Sequence, residues 1–179
     1  MCKNNVLTEE ECLKLLDDYG TPSHVIRHCK SVSRVAVIIA KELNKRGFSL
    51  DIEVIRTASL LHDIARVEDH HCEVGAKLLY NMHLDDVADI VKVHMHHVFP
   101  DDVSQIKEVD VVCLGDRLVQ EDIFVGIDAR MEYVLNKIKN DDRLKEIVSK
   151  KVEHSKIFIK KLECFIGNTI ENMIKENDK

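Results

Sequence analysis

Histidine and aspartate residues recur at positions that helical spacing assigns to the interior of this chain. His28, His62 and His94 fall within the apolar stripes of three separate predicted helices, and Asp116 falls within that of a fourth. Taken singly, each histidine is better explained as a core histidine with its hydrogen bonds satisfied, and Asp116 equally well as a helix cap or an arginine partner. Taken together they favour a metal site, because a buried ionised carboxylate costs several kcal/mol unless it is paired or binds a metal. Imidazole and carboxylate donors without thiolate suit Mn, Fe, Co, Ni, Zn or Mg.

Asp63 directly follows His62, and this constrains the helix that carries both residues. Neighbouring side chains on a regular α-helix point about 100° apart, so both can reach one metal only near a helix end. A polar segment, residues 68–71 (Glu-Asp-His-His), follows shortly afterwards. We therefore predict a helix that ends just after Asp63.

The other predicted helices are bounded by capping and stop signals. A capping box of Thr8 and Glu11 opens the first helix, and Gly20 ends it. The predicted helices cover residues 9–19, 22–46, 49 or 51 to 63, 72–80, 85–98, 109–120, 127–138 and 143–176, with a break at Gly167. The apolar stripe of the last segment is predicted to pack on the core, with a homodimer surface as the alternative. Its members are Leu144, Val148, Val152, Ile159, Leu162 and Ile166.

Composition supports the same fold class. The 179 residues include only 2 Pro, 6 Gly and 4% aromatic residues, beside 45% hydrophobic and 32% charged ones. So few turn formers and β-favouring aromatics disfavour a β-sandwich, a barrel or a disordered chain. We expect an all-α, single-domain helical bundle over residues 1–179. The formal net charge of −6 argues against a surface that coats nucleic acid, and a locally positive pocket stays open.

The cysteines and apolar runs predict a cytoplasmic protein without a membrane segment. No pair of cysteines has C-x-x-C spacing, no apolar segment at the start has signal-peptide length, and the run Val35–Ala40 is far shorter than a membrane span. The six cysteines are therefore predicted to be reduced and mostly to pack: Cys2, Cys12, Cys29, Cys72, Cys113 and Cys164.

The spacing of the candidate ligands resembles a known signature. His28, the pair His62-Asp63 within Ala-Ser-Leu-Leu-His-Asp-Ile-Ala-Arg (58–66), and Asp116 within Leu-Gly-Asp-Arg-Leu-Val (114–119) are similar to the H...HD...D motif of HD-domain metal-dependent phosphohydrolases. The resemblance covers about residues 22–130. It implies that these four residues bind a metal, and that the chain is a small stand-alone hydrolase with the helical HD fold.

Two further segments resemble the members of that superfamily that hold two metals. The segment 71–76 is similar to the H-x-x-x-G-A element, and 87–94 resembles the segment that ends in the next ligand. This resemblance implies that Asp63 bridges two ions, with His71 and His94 on the second. His70 competes with His71, and His97 is an additional candidate because it lies about 60° from His94 on a helix.

The resemblance implies a phosphohydrolase that uses one or two divalent ions to activate water and cleaves a phosphomonoester or phosphodiester of a small nucleotide-like molecule. Its catalytic residues would be Asp63 and Arg66, since Arg66 lies one turn beyond His62 and matches a basic position that can hold a phosphate oxygen. Arg117 and Arg130 are weaker candidates for phosphate contacts, because surface arginines are usually solvated or ion-paired. The alternative is a regulatory HD module that binds metal or nucleotide without turnover.

Overall fold

Local capping interactions define the first helix as the sequence predicts. The hydroxyl of Thr8 accepts from the Glu11 backbone N–H at 3.3 Å, the Glu11 carboxylate accepts from the Thr8 N–H at 2.8 Å, and Gly20 ends the helix at φ 81°.

The computed structural model describes residues 6–138 and 141–177. The helices in these residues are α1 (Glu9–Tyr19), α2 (Ser23–Asn44), α3 (Ile52–Leu61), α4 (His71–Asn81), α5 (Asp85–Val93), α6 (Glu108–Leu118), α7 (Gly126–Lys137), α8 (Asp142–Ile166) and α9 (Ile170–Asn177).

The predicted all-α fold is confirmed, apart from two very short strands. Strands β1 (Val119–Gln120) and β2 (Ile123–Phe124) form an antiparallel hairpin in which Val119 lies opposite Phe124. The sequence predicts helix up to residue 120, whereas Val119 already adopts extended backbone with φ −108° and ψ 130°.

Helix α2 lies at the centre of the bundle and packs against α3, α6 and α9, while α1 packs on α3 and α4 pairs with α5. The core between these helices is aliphatic and fully buried; its largest members include Leu16, Ile39, Leu43, Ile55, Leu61 and Leu114. Because α3, α5 and α6 also contact one another, the ends of several helices meet beside α2.

Helix α5 is shorter than predicted. It ends at Val93 rather than Val98, and the backbone N–H of His96 bonds the Val93 carbonyl at 2.8 Å in a tight turn. Val98, which helical spacing assigns to the buried face, is 63% exposed. Burial of Phe99 explains the change: its ring stacks on Phe158 of α8 at 4.4 Å, which draws the chain away from the helix axis.

The C-terminal segment divides into two parts. Helix α8 ends at Gly167, which has φ 75°, so the predicted break is confirmed. The second half of α8 and the apolar face of α9 are buried in the core through Phe158, Leu162, Ile166, Ile170, Met173 and Ile174. The prediction that Leu144, at the start of α8, packs on the core is wrong, since this residue is 42% exposed.

The cysteines of the described residues are unpaired, and four of them are buried; only Cys164 is exposed, and Cys2 lies outside the described residues. Within residues 6–138 and 141–177, no helix is long and apolar enough to cross a membrane.

Candidate metal centre

Six side chains from five helices or helix ends converge beside α2. His28 lies within α2 and Asp116 within α6, while the other four lie at helix boundaries. His62 and Asp63 follow the end of α3, His71 begins α4, and His94 follows the end of α5. We call these residues the cluster; it consists of His28, His62, Asp63, His71, His94 and Asp116.

The end of α3 allows two neighbouring residues to face the same point. The helix stops at Leu61, slightly before the predicted end, and the chain continues in tight turns in which the Arg66 N–H bonds the Asp63 carbonyl at 2.9 Å. As a result, Nε2 of His62 lies 3.7 Å from Oδ2 of Asp63. The expectation that the helix must end at this pair is confirmed.

The two oxygens of Asp63 face different groups of imidazoles. Oδ2 lies 3.7 Å from His62 Nε2, whereas Oδ1 lies 3.4 Å from His71 Nε2 and 3.6 Å from His94 Nε2. Oδ1 of Asp116 lies 3.1 Å from His28 Nε2 and 3.9 Å from His62 Nε2. Asp63 thus divides the cluster into a first subsite (His28, His62, Asp116 and Oδ2 of Asp63) and a second subsite (His71, His94 and Oδ1 of Asp63).

In three of the histidines, a hydrogen bond to a backbone carbonyl determines which ring nitrogen faces the carboxylates. Nδ1 lies 2.7 Å from the Glu121 carbonyl in His28, 2.8 Å from the Ser59 carbonyl in His62, and 2.7 Å from the Val91 carbonyl in His94. A carbonyl oxygen only accepts, so Nδ1 must donate in each ring. Nε2 is therefore the nitrogen that is available as a ligand, which is the usual arrangement in histidine metal sites.

The buried Nε2 atoms supply a test of whether a metal ion fits. Nε2 of His62 and Nε2 of His94 are both inaccessible to solvent and have no hydrogen-bond partner in the described part of the chain. A buried polar atom without a partner is costly, and a coordinate bond to a cation would satisfy both atoms. The four imidazoles and two carboxylates of the cluster match the donors that divalent transition metals prefer.

Both carboxylates are ionised at neutral pH. Burial acts to raise the pKa of Asp63, but the charges of His62 and Arg66 and the interaction with His94 lower it to about 2. For Asp116 burial is likewise outweighed, chiefly by the hydrogen bond with His28, and the pKa is well below its usual range. Two buried negative charges within one cluster attract cations.

The imidazoles fall into two classes. Burial lowers the pKa of His62 and of His71, so these rings favour the neutral form that binds metal. For His28 and His94 burial acts in the same direction, but Asp116 and Asp63 respectively outweigh it; the pKa of His28 is raised, and that of His94 is raised to about 10. A metal ion that binds at His94 must displace its proton.

The alternative histidine ligands lie outside the cluster. Nε2 of His97 lies 2.6 Å from Oδ1 of Asp110, because the early end of α5 removes His97 from the face of His94. His70 is exposed and precedes α4 with φ 55°, whereas the ring of His71 contacts Asp63. His96 is exposed.

Of the three candidate arginines, Arg66 contacts the cluster. Its Nε lies 3.4 Å from Oδ2 of Asp63, and its side chain is 48% exposed. Arg117 instead donates to Ser155 Oγ at 3.0 Å and lies over the Phe99 ring, with Cζ 4.4 Å from the ring centre.

Arg130 lies on α7, with Cζ 5.8 Å from the centre of the Tyr133 ring. The Nε atom of Arg130 is buried and has no hydrogen-bond partner in the described residues. The packing around Arg117 favours a structural role for that residue.

Cys72 is a potential ligand that the sequence analysis missed. It is buried, its Sγ lies 3.6 Å from Nε2 of His71, and potential ligand atoms of His71, Cys72 and His94 all lie within 4.8 Å of one another. Its position directly after His71 was the available signal, but the prediction of a thiolate-free site set it aside.

A separate cavity of about 640 Å³ between α3, α5 and α6 has a different character. Its lining carries four carboxylates, those of Asp51, Asp86, Asp89 and Glu108, against one lysine, Lys107. Because carboxylates outnumber the single lysine, this lining disfavours an anionic ligand.

Comparison with known proteins agrees with this geometry. A family model for the HD domain matches residues 25–120, more than half of the chain and a span that contains the whole cluster. The chain belongs to the HD domain family.

Several curated proteins are similar to the chain. A tRNA (cytidine(56)-2'-O)-methyltransferase of Thermoplasma volcanium is 34% identical over 175 residues, which cover 90% of this chain and 47% of that protein. An uncharacterized protein of Methanocaldococcus jannaschii is 34% identical over 80 residues, covering 43% and 47%. Ribonuclease Y of Aquifex aeolicus is 31% identical over 130 residues, covering 70% and 21%. The chain thus spans less than half the length of these relatives. No solved structure matches it significantly.

Proposed function

We propose that this chain is a metal-dependent phosphohydrolase that cleaves a phosphomonoester or phosphodiester bond in a nucleotide-like substrate. The proposal depends on one observation: the two carboxylate oxygens of Asp63 face two separate sets of imidazoles, at distances of 3.4–3.7 Å from their Nε2 atoms. Divalent ions bound in such a site lower the pKa of a coordinated water and polarise phosphoryl oxygens.

The chain's own residues supply binding and positioning in this proposal. His28, His62 and Asp116 would hold one ion and His71 and His94 a second, while the carboxylate of Asp63 would be available to both subsites. The carbonyls behind three of the rings keep Nε2 directed inward. The guanidinium of Arg66 is tied to Asp63 by one nitrogen and half exposed, which suits it to bind a phosphate oxygen.

The names of the relatives support a substrate that contains nucleotides. One relative is named as a ribonuclease and another as a tRNA methyltransferase. Because the chain carries a net charge of −6, we retain the prediction of a small ligand rather than extended coating of nucleic acid.

One observation favours a second candidate, a regulatory module that binds metal or nucleotide without turnover. The methyltransferase relative shares 34% identity across 90% of this chain, and its name describes a reaction other than hydrolysis. Tight nucleotide binding without product, with every metal tested, would support this second candidate.

The experiment compares Asp63→Ala with the wild-type protein. Metal-stripped protein is reconstituted with Mn, Fe, Co, Ni, Zn or Mg and incubated with nucleoside monophosphates, cyclic nucleotides, dinucleotides and a short single-stranded RNA. We expect metal-dependent cleavage that falls at least about 100-fold in Asp63→Ala, since this substitution removes a ligand of both ions.

The matched control is Asp69→Ala, an exposed carboxylate on the same connection, which should retain wild-type turnover. Circular dichroism checks that both variants fold. Wild-type turnover in Asp63→Ala would overturn the proposal.

A further inference from the structure

The second subsite contains a sulfur atom beside its nitrogen and oxygen donors. Cys72 occupies the second position of α4, directly after His71, and its side chain is buried. The Sγ atom lies 3.6 Å from Nε2 of His71. The start of α4, which places His71 beside Asp63, therefore places the Cys72 thiol beside His71.

The neighbouring ring of His94 points to a ligand independently of the cysteine. Its side chain is only 1% exposed, its Nδ1 donates to the Val91 carbonyl, and its Nε2 has no hydrogen-bond partner within the described residues. This atom lies 3.6 Å from Oδ1 of Asp63. Potential ligand atoms of His94, His71 and Cys72 all lie within 4.8 Å of one another.

Three separations between these donors agree with those of a four-coordinate ion. Bonds of about 2.0–2.3 Å at tetrahedral angles separate nitrogen from oxygen by about 3.3 Å and nitrogen from sulfur by about 3.6 Å. The observed separations from Oδ1 of Asp63 are 3.4 Å to His71 Nε2 and 3.6 Å to His94 Nε2. The separation from Cys72 Sγ to His71 Nε2 is 3.6 Å.

We propose that Cys72 is a ligand of the second subsite, which thereby holds a thiolate, two imidazoles and a carboxylate and selects Zn²⁺ or a similar thiophilic ion. Coordination displaces the thiol proton to solvent. The first subsite offers only nitrogen and oxygen, so Mn²⁺ and Mg²⁺ compete better there. The two ions of one centre would accordingly differ in identity.

This proposal rests on the metal site of the proposed function but does not require turnover. Cys72 coordination and hydrolytic activity can therefore be tested, and refuted, independently. Metal-stripped, reduced protein is titrated with Co²⁺ while its absorption is recorded. Thiolate coordination produces an intense near-ultraviolet charge-transfer band that nitrogen and oxygen ligands do not. We expect this band in the wild type and in Cys164→Ser, which removes the exposed cysteine.

The band should disappear in Cys72→Ser and in Cys72→Ala. The Zn²⁺ affinity of one site should also fall at least about tenfold, because even indirect partners of a ligand contribute that much. Wild-type protein that binds two Co²⁺ ions without the band, or a band that persists in Cys72→Ser, would overturn the proposal.

X-ray absorption of the wild-type Zn²⁺ protein gives a test that needs no variant. A sulfur neighbour at about 2.3 Å from zinc supports Cys72 coordination. A shell that contains only nitrogen and oxygen contradicts it, whatever the hydrolytic activity of the sample.

Discussion

At the scale of single residues, the chemistry of the centre depends on two ionised carboxylates that the fold has buried. Asp63 and Asp116 are held in the charged form by imidazoles rather than by solvent, and Arg66 adds one positive charge at the exposed edge of Asp63. Removal of any one of these groups changes the charge balance of the others. Variants at this scale therefore need readouts that separate metal binding from substrate binding.

Replacement of Arg66 by alanine should lower kcat/KM, while the metal content of the protein stays unchanged. A hydrogen bond from a charged donor contributes about 1.5–3 kcal/mol, so kcat/KM for p-nitrophenyl phosphate should fall roughly 10- to 100-fold. Arg56→Ala is the control, because Arg56 forms a comparable i,i+3 ion pair with Glu53 on the surface of α3. Equal kcat/KM values for the wild type and Arg66→Ala would show that Arg66 holds no phosphate.

The metal-free protein should lose stability in acid. The pKa of Asp63 is lowered in the folded state from its ordinary 3.8 to about 2, so as pH falls the unfolded chain binds this proton first. The stabilisation is present above about pH 4 and is lost as pH falls toward about 2, at a cost of about 2 kcal/mol. Asp116 shifts in the same direction. Urea unfolding across this range measures the slope, which should be shallower in Asp63→Asn; an unchanged slope would contradict the assignment.

At the scale of elements, the first subsite requires a close approach between α2 and α6. Gly115 lies at this crossing, where a Cβ atom would sit 3.1 Å from the Val32 carbonyl oxygen and 3.3 Å from the Ala36 Cβ. The next residue is Asp116, whose partner His28 lies on α2. The absence of a side chain at Gly115 therefore sets the distance between two proposed ligands.

Gly115→Val should separate α2 from α6. Overpacking of this kind typically costs about 1–3 kcal/mol, and here it should also weaken metal binding at the first subsite. The comparison is Ala129→Val at an exposed position of α7, where only helix propensity changes, by less than about 1 kcal/mol. Thermal unfolding and Mn²⁺ titration report the two effects; a Gly115→Val protein with wild-type values in both would refute this role.

At the scale of the whole molecule, α8 supports the cluster through residues that do not belong to it. Phe158 stacks on Phe99, and Phe99 lies beneath the guanidinium of Arg117, the neighbour of Asp116. Phe99 also belongs to the loop that follows His94. The C-terminal segment thus packs on both the α5 and the α6 sides of the cluster.

Phe158→Ala should destabilise the protein by about 3–5 kcal/mol, because it leaves a cavity beneath Phe99. Phe165→Ala serves as the matched control, since Phe165 is 47% exposed and contacts Phe48 only edge to face. Chemical denaturation should give a much smaller loss for the control. Similar losses for the two variants would mean that α8 does not brace the core through Phe158.

The features that sequence could predict are those with local causes. Helix α1 matches its predicted bounds because its capping box and its terminal glycine are both local signals. The helix end at His62-Asp63 followed from the geometry of neighbouring side chains. The end of α5 could not be predicted, because it depends on burial of Phe99 against a helix some sixty residues later in the chain. The position of Cys72 directly after His71 is visible in the sequence, but its proximity to His94 arises only when α4 packs on α5.

The carbonyl partners of the imidazoles make the two subsites depend on different parts of the fold. His62 and His94 obtain their Nδ1 acceptors from within their own turns, three residues earlier, whereas His28 takes its acceptor from Glu121 in the hairpin, 93 residues away. The hairpin packs against α2, the helix that carries His28. A change that moves the hairpin away from α2 would therefore release the His28 ring while His62 and His94 keep their orientation.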